Sequence, residues 1–337
     1  MPAAPTNDAL LRYRSQFPIL ETTTYLISNS LGAMPRGVAG SLQSYAEIWA
    51  ARGVRAWEDK WWMLALEVGD QIGALMNAPA GSINIHQNVT VCQAVAASCF
   101  DFSGKRNKVV YDDLNFPGVM YFWEAQRRRG ARVILDTFQS LGTVPVDVTA
   151  LGADFATGGV LKWLCGGSGV AYLYVRPDLA PKLEPTLTGW FAHQEPFAFE
   201  TGAIRYTDGP YRFSTGTSNV PALYAAQPGL KIIQEVGVEN IRRKSERQTA
   251  RLIELAEAHG WRVNTPRDPA KRGGTVSIDM PNAQEVCAEL LKRDILVDYR
   301  PRAGVRMSPH FYNQDEELDT AIAAVEEILS TMKVPAR

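Results

Sequence analysis

The sequence predicts an α/β protein: a mostly parallel sheet flanked by helices, with a small α+β domain toward the C-terminal end. Three observations carry this expectation. Short, nearly continuous apolar runs alternate with helical patterns through the first two thirds of the chain. Such runs suit strands buried on both faces, as in a parallel sheet between helices. Beyond Asn219 the pattern changes to long helices, and a length of 337 residues allows a second domain or a large appendage.

The strand-like runs are "KVVYDD" (108–113), "ARVILDT" (131–137), "ADFATGG" (153–159) and "GVAYLYV" (169–175). A long helix is expected over 238–260, where Ile241, Leu252, Ile253, Leu255 and Ala256 give a partial apolar face and Gly260 a stop. "GGTVSIDM", a helix over 283–292, "DILVDYR", "GVRMSPHFY" and a final helix from about Asp315 complete the tail. The expected seam lies near 220–235. It divides a large domain (46–226) from a small one made of 227–337 together with 1–45.

Composition narrows the partners. Basic and acidic side chains number 35 and 36, so no long-range field favours nucleic acid or an anionic membrane. Cys92, Cys99, Cys165 and Cys287 form no paired motif, and the four histidines are scattered, which disfavours disulfides and a bound metal. The N-terminal stretch has no apolar core after a basic start, and no run reaches membrane-spanning length. The expectation is a soluble cytoplasmic protein acting on a small molecule.

The stretch "GGVLKWLCGGSG" (158–169) sets Lys162 among apolar residues between glycine pairs. A lysine at a strand end commonly extends its amine to water, so the neighbours must decide. "VILDTFQS" ends a strand on Asp136, at the edge where open α/β sheets bind ligands, although an aspartate there also caps helices and turns. "HQNVTVCQAVAA" (86–97) begins a helix at Asn88 or Thr90, whose free amides can take a phosphate. "RFSTGTSN" (212–219) is a loop of small hydroxyl residues that serves either as a phosphate clamp or as an ordinary turn. Pyridoxal 5'-phosphate needs all four: an amine for a Schiff base, an acid at the pyridine nitrogen, and an anion cradle. The apolar flanks would lower the lysine pKa, and the glycines would admit the cofactor.

Further pieces extend along nearly the whole chain: "YLISNSLGAMPRGV" (25–38), "RGVRAW" (52–57), "QNVTV" (87–91), "NFPGVMYFWEAQ" (115–126), "GWFAHQEPFAF" (189–199), "RFSTGTSNVPAL" (212–223), "RGGTVSI" (272–278) and "VDYRPRAGVRMSPHFYN" (297–313). With these pieces the chain resembles the kynureninase family, in the aminotransferase class V group of fold type I pyridoxal-phosphate enzymes. The resemblance implies that Lys162 carries the cofactor and moves protons while Asp136 pairs with the pyridine nitrogen. It places Val89, Thr90, Trp190 and Thr217 around the phosphate, partly across a homodimer interface, stacks Phe116 on the ring and sets Leu161 and Gln139 beside it. Arg306 matches the arginine that forks onto the substrate's α-carboxylate, and Asn29 of the "NSLG" piece falls on the substrate side. The implied reaction belongs to tryptophan catabolism by the kynurenine pathway. L-Kynurenine or its 3-hydroxy form is hydrolysed between Cβ and Cγ to anthranilate, or hydroxyanthranilate, and L-alanine.

Three departures qualify the resemblance. Only 46 positions separate Thr90 from Asp136, where the family has about two further βα units of roughly 30 residues each. An internal deletion near 133–134 is therefore expected. Leu161 stands where kynureninases have tyrosine, and Gln139 where they have histidine. The alternatives are another class V aminotransferase, lyase or desulfurase acting on a different amino acid, and an inactive, internally deleted relative.

Overall fold

A computed structural model describes residues 8–101 and 134–332. The expected strand at 108–113, the start of the 131–137 run and Phe116 lie outside the described residues. The strands are β1 (Thr24–Tyr25), β2 (Ile83–His86), β3 (Leu135–Asp136), β4 (Phe155–Gly159), β5 (Ala171–Val175), β6 (Arg262–Val263), β7 (Val276–Asp279), β8 (Ile295–Leu296), β9 (Asp298–Arg300) and β10 (Gly304–Met307). The longer helices are α1 (Gly37–Arg52), α2 (Trp62–Ala74), α3 (Val89–Ser98), α4 (Val220–Val236), α5 (Val238–Ala258), α6 (Ala283–Lys292) and α7 (Asp315–Thr331).

Two compact units result: Val38–Leu141 with Val146–Lys231, and Met1–Gly37 with Gly142–Pro145 and Ile232–Arg337. The division falls inside α4, which runs unbroken past its internal Pro228.

The first unit holds a four-stranded sheet in the order β2-β5-β4-β3. β4 and β5 are buried along their whole length, and α3 packs on both through Cys92, Val95 and Ala96. The parallel character expected of the sheet is confined, among the described residues, to the β3–β4 pairing; β5 runs antiparallel to β2 and to β4. The reason is local, because β5 follows β4 across a short connection, which suits an antiparallel return, whereas parallel neighbours need a long crossover.

The second unit carries the antiparallel sheet β6-β7-β10-β9 and the parallel pair β1-β8. Its core joins Leu252 and Ile253 of α5, Val286 and Leu290 of α6, and Ile322, Val325 and Ile328 of α7 to Val276, Ile278, Val305 and Met307 of the sheet. α7 begins on a capping box in which Gln314 and Glu317 satisfy each other's backbone amides.

Candidate active site

Strand direction explains why the chemistry collects on one edge of the first unit's sheet. With β5 antiparallel to both β2 and β4, and β3 parallel to β4, the strands β2, β4 and β3 all end on the same side. The register sets His86 opposite Ala171 and Ala171 opposite Gly159, so these residues form one row at that edge. α3 starts just beyond His86, and Lys162 lies just beyond Gly159. Asp136, the last residue of β3, is paired with Thr157.

The lysine sits on a closed turn. The Gly166 amide donates to the Val160 carbonyl at 2.8 Å, and the Cys165 amide to the Lys162 carbonyl at 3.1 Å. Behind it, Gly229 of α4 approaches so closely that a Cβ would stand 2.3 Å from the Cys165 carbonyl oxygen, a space only glycine fits. Lys162 is half-buried, and its Nζ lies 4.4 Å from the centroid of the Phe138 ring. At Gly158 and Gly159 the close approach comes from the protein's own rings: added Cβ atoms would meet the Tyr172 hydroxyl at 2.2 Å and the Phe138 ring at 2.7 Å.

Asp136 is also half-buried, and its Oδ1 accepts the Phe138 amide at 2.9 Å, which fixes the turn after β3. Burial pushes up the Cys92 thiol on α3 and the Tyr172 hydroxyl on β5, and the Asp136 charge adds to both shifts. The carboxylate is therefore within electrostatic reach of the helix and the central strand. Gln139 is exposed and its Oε1 accepts from Trp163 Nε1 at 2.9 Å, tying the turn after β3 to the lysine turn.

Asn88 caps α3, its side chain accepting the Val91 amide at 3.0 Å. Val89 and Thr90 form the first turn, where helix amides have no intrahelical acceptor. A cleft opens there, lined by His86, Gln87, Val91, Gly169 and the loop from Thr215 to Asn219, so Thr217 reaches this cleft within its own chain. Trp190 is not among its lining residues; it lies 40% exposed against Trp62, Phe191 and Phe197. Leu161 is half-buried beside Lys162.

Arg306 and Asn29 belong to the other unit. There the "NSLG" and "R.SP..YN" pieces meet: Ile27 bridges Ser308, Ser28 Oγ lies 2.8 Å from the Tyr312 hydroxyl, and Asn313 Nδ2 donates to the Tyr25 carbonyl at 3.1 Å. Asn29 is buried.

The edge suits a phosphorylated, polar cofactor. Three buried side-chain atoms from β2, α3 and β4, namely His86 Nε2, Gln93 Oε1 and Thr157 Oγ1, have no hydrogen-bond partner among the described residues. Buried polar atoms of this kind mark places where a partner is missing. Sequence reasoning singled out neither His86 nor Phe138; their positions, ending the strand before the Asn88 cap and two residues after Asp136, were the available signals.

Burial lowers His86 from its usual 6.5 to about 4. The unfolded chain therefore binds a proton that the native state refuses between these pH values. This contribution to stability is complete above pH 6.5 and is lost as pH falls toward 4. Over that interval the wild type is expected to lose about 3 kcal/mol more than His86→Gln. Urea unfolding at a series of pH values checks this, and parallel curves for the two proteins would refute it.

The chain is similar to several known proteins along most of its length. The family model described as aminotransferase class V matches residues 115–320. A kynureninase from Pseudomonas fluorescens is 29% identical over 397 positions, covering 97% of this chain and 94% of the relative. Because 397 positions exceed the 337 residues of this chain, the relative has at least 60 residues inside the aligned region without a counterpart here. A kynureninase from Deinococcus radiodurans is 29% identical, covering 99% of this chain and 97% of the relative. The uncharacterized aminotransferase YcbU of Bacillus subtilis is 28% identical, covering 92% and 96%. Among solved structures, the apo cysteine desulfurase from Thermococcus onnurineus superposes with a TM-score of 0.83 at 20% identity, over 95% of this chain and 98% of that one. A C-DES mutant, with glycine covalently linked to its pyridoxal-phosphate cofactor, gives 0.80 at 18% identity, covering 93% and 98%.

Proposed function

The chain belongs to the aminotransferase class V family of pyridoxal-phosphate enzymes, and from that membership we propose a kynureninase-like hydrolase that cleaves the Cβ–Cγ bond of L-kynurenine or 3-hydroxykynurenine. The observation that carries the reading is that Asp136, the last residue of β3, and Lys162, in the turn that follows the neighbouring strand β4, lie at the same sheet edge as the N-terminus of α3. The kynureninase relatives, aligned over nearly their full length, support the choice of substrate.

Bound there, pyridoxal phosphate supplies an electron sink for the bonds around the amino acid's α-carbon. Lys162 holds the cofactor and transfers protons at the α-carbon, and Asp136 keeps the ring nitrogen protonated. The Val89 and Thr90 amides, with Thr217, take the phosphate; Trp190 and Phe116 complete the cofactor's surroundings. Arg306 forks onto the substrate's carboxylate, with Asn29 nearby on the substrate side. Exposed Phe197 and Phe199 fit a homodimer in which Trp190 serves the partner's site. No described helix is long and apolar enough to cross a membrane; the cytoplasm is the proposed location.

Two observations favour a second reading, an aminotransferase or lyase acting on another amino acid. Gln139 is engaged by Trp163, and Leu161 offers no acid or base beside the lysine. A desulfurase fits less well, because Cys92, Cys165 and Cys287 are buried and burial pushes Cys99 up to about 12. Incubating cofactor-loaded protein with L-kynurenine is expected to release fluorescent anthranilate. If amino groups are exchanged and no anthranilate forms, the second reading stands. If neither occurs, the internally shortened chain is an inactive relative.

A further inference from the structure

We propose that Asp298 is a positioning residue that holds Arg306 so that the outer edge of its guanidinium is presented to a substrate carboxylate. The inference rests on the reading that Arg306 binds that carboxylate. β9 and β10 form an antiparallel pair in which Asp298 and Arg306 stand directly opposite each other. Arg306 Nε donates to Asp298 Oδ1 at 2.8 Å, and Arg306 Nη2 donates to Oδ2. Their side chains are only 21% and 15% exposed, so this pair is less open to solvent than an ordinary surface bridge. Arg300, on the same strand as Asp298, approaches Oδ2 at 3.6 Å and is half exposed.

The geometry uses one edge of the guanidinium and leaves another. A guanidinium has five N–H donors in a planar fork. Asp298 takes the edge made by Nε and one Nη2 hydrogen, which leaves Nη1 and the second Nη2 hydrogen as a parallel pair facing away from it. A carboxylate can be gripped there end-on without displacing Asp298. Because the long side chain is already ordered before any ligand arrives, binding loses less rotamer freedom. Opposing this, Asp298 repels an incoming carboxylate. The split between the two edges favours orientation over competition, since the two anions address different faces of the fork.

The test compares two probes on cofactor-loaded protein: L-alanine, and ethylamine, which is the same amine without its carboxylate. Their binding is read from the change in visible absorbance. Asp298→Ala and Asp298→Asn are expected to weaken L-alanine by about threefold to tenfold and leave ethylamine unchanged. The size-matched Asn variant guards against a simple folding loss. Equal weakening of both probes would make Asp298 merely structural, and tighter L-alanine binding would make it a competitor; either result overturns the proposal. Arg306→Ala tests the underlying reading separately, because unchanged preference for L-alanine over ethylamine in that variant would remove Arg306 from the substrate site whatever Asp298 does.

Discussion

Replacing Lys162 with alanine is expected to abolish the covalent attachment of pyridoxal phosphate and to lower turnover by about three to four orders of magnitude, the upper range for a positioned acid–base group. The physical basis is that no other described amine occupies the turn beyond β4. Among the described residues, the Phe138 ring 4.4 Å away, Leu161 and Trp163 cannot substitute as base or nucleophile. Borohydride reduction followed by peptide mapping provides a readout independent of catalysis: the wild type should carry its label on the peptide containing Lys162, and Lys162→Ala should carry none. A label that persists elsewhere in the variant would show that the sequence pattern pointed to the wrong lysine. Backbone hydrogen bonds from the Cys165 and Gly166 amides hold the turn and are kept in the variant, so it should fold. A melting temperature close to that of the wild type is therefore part of the expectation.

What the sequence made legible follows from the strength of local signals. The helix expected over 238–260 is α5, Val238–Ala258, because its apolar face recurs at helical spacing and His259–Gly260 ends it. α6 and the start of α7 fall where the pattern placed them. Strand direction was not legible. β5 is antiparallel yet buried on both faces, and that burial produces the same continuous apolar run as a parallel strand.

The run "DILVDYR" hid a different complication. It supplies β8, which pairs with β1, and β9, which pairs with β10, so two sheets share one stretch. Alternation along a chain reports burial, and the identity of the neighbouring strand is a tertiary fact. The same limit applies at the site. Lys162 and Asp136 stood out because a charge ending an apolar strand is unusual. His86 reads as an ordinary strand residue until its buried Nε2, with no partner among the described residues, is seen, and Phe138 reads as core until the lysine is found beside it.

Asp136→Asn carries the second large expectation: a fall in turnover of about two to three orders of magnitude with cofactor still attached to Lys162, the scale typical of removing one preorganised electrostatic partner. Asparagine keeps the size of the side chain and an oxygen able to accept the Phe138 amide, so the turn after β3 should persist. What it removes is the negative charge. Without that charge, nothing in its place holds a proton on a pyridine nitrogen at neutral pH, and the ring loses its strength as an electron sink. Reconstitution with a cofactor methylated on its ring nitrogen, which is permanently cationic, separates charge from geometry. If turnover in Asp136→Asn recovers with that cofactor, the carboxylate acts through the ring's charge. If the variant is as active as the wild type with the natural cofactor, Asp136 is only the turn former that its bond to Phe138 would also explain.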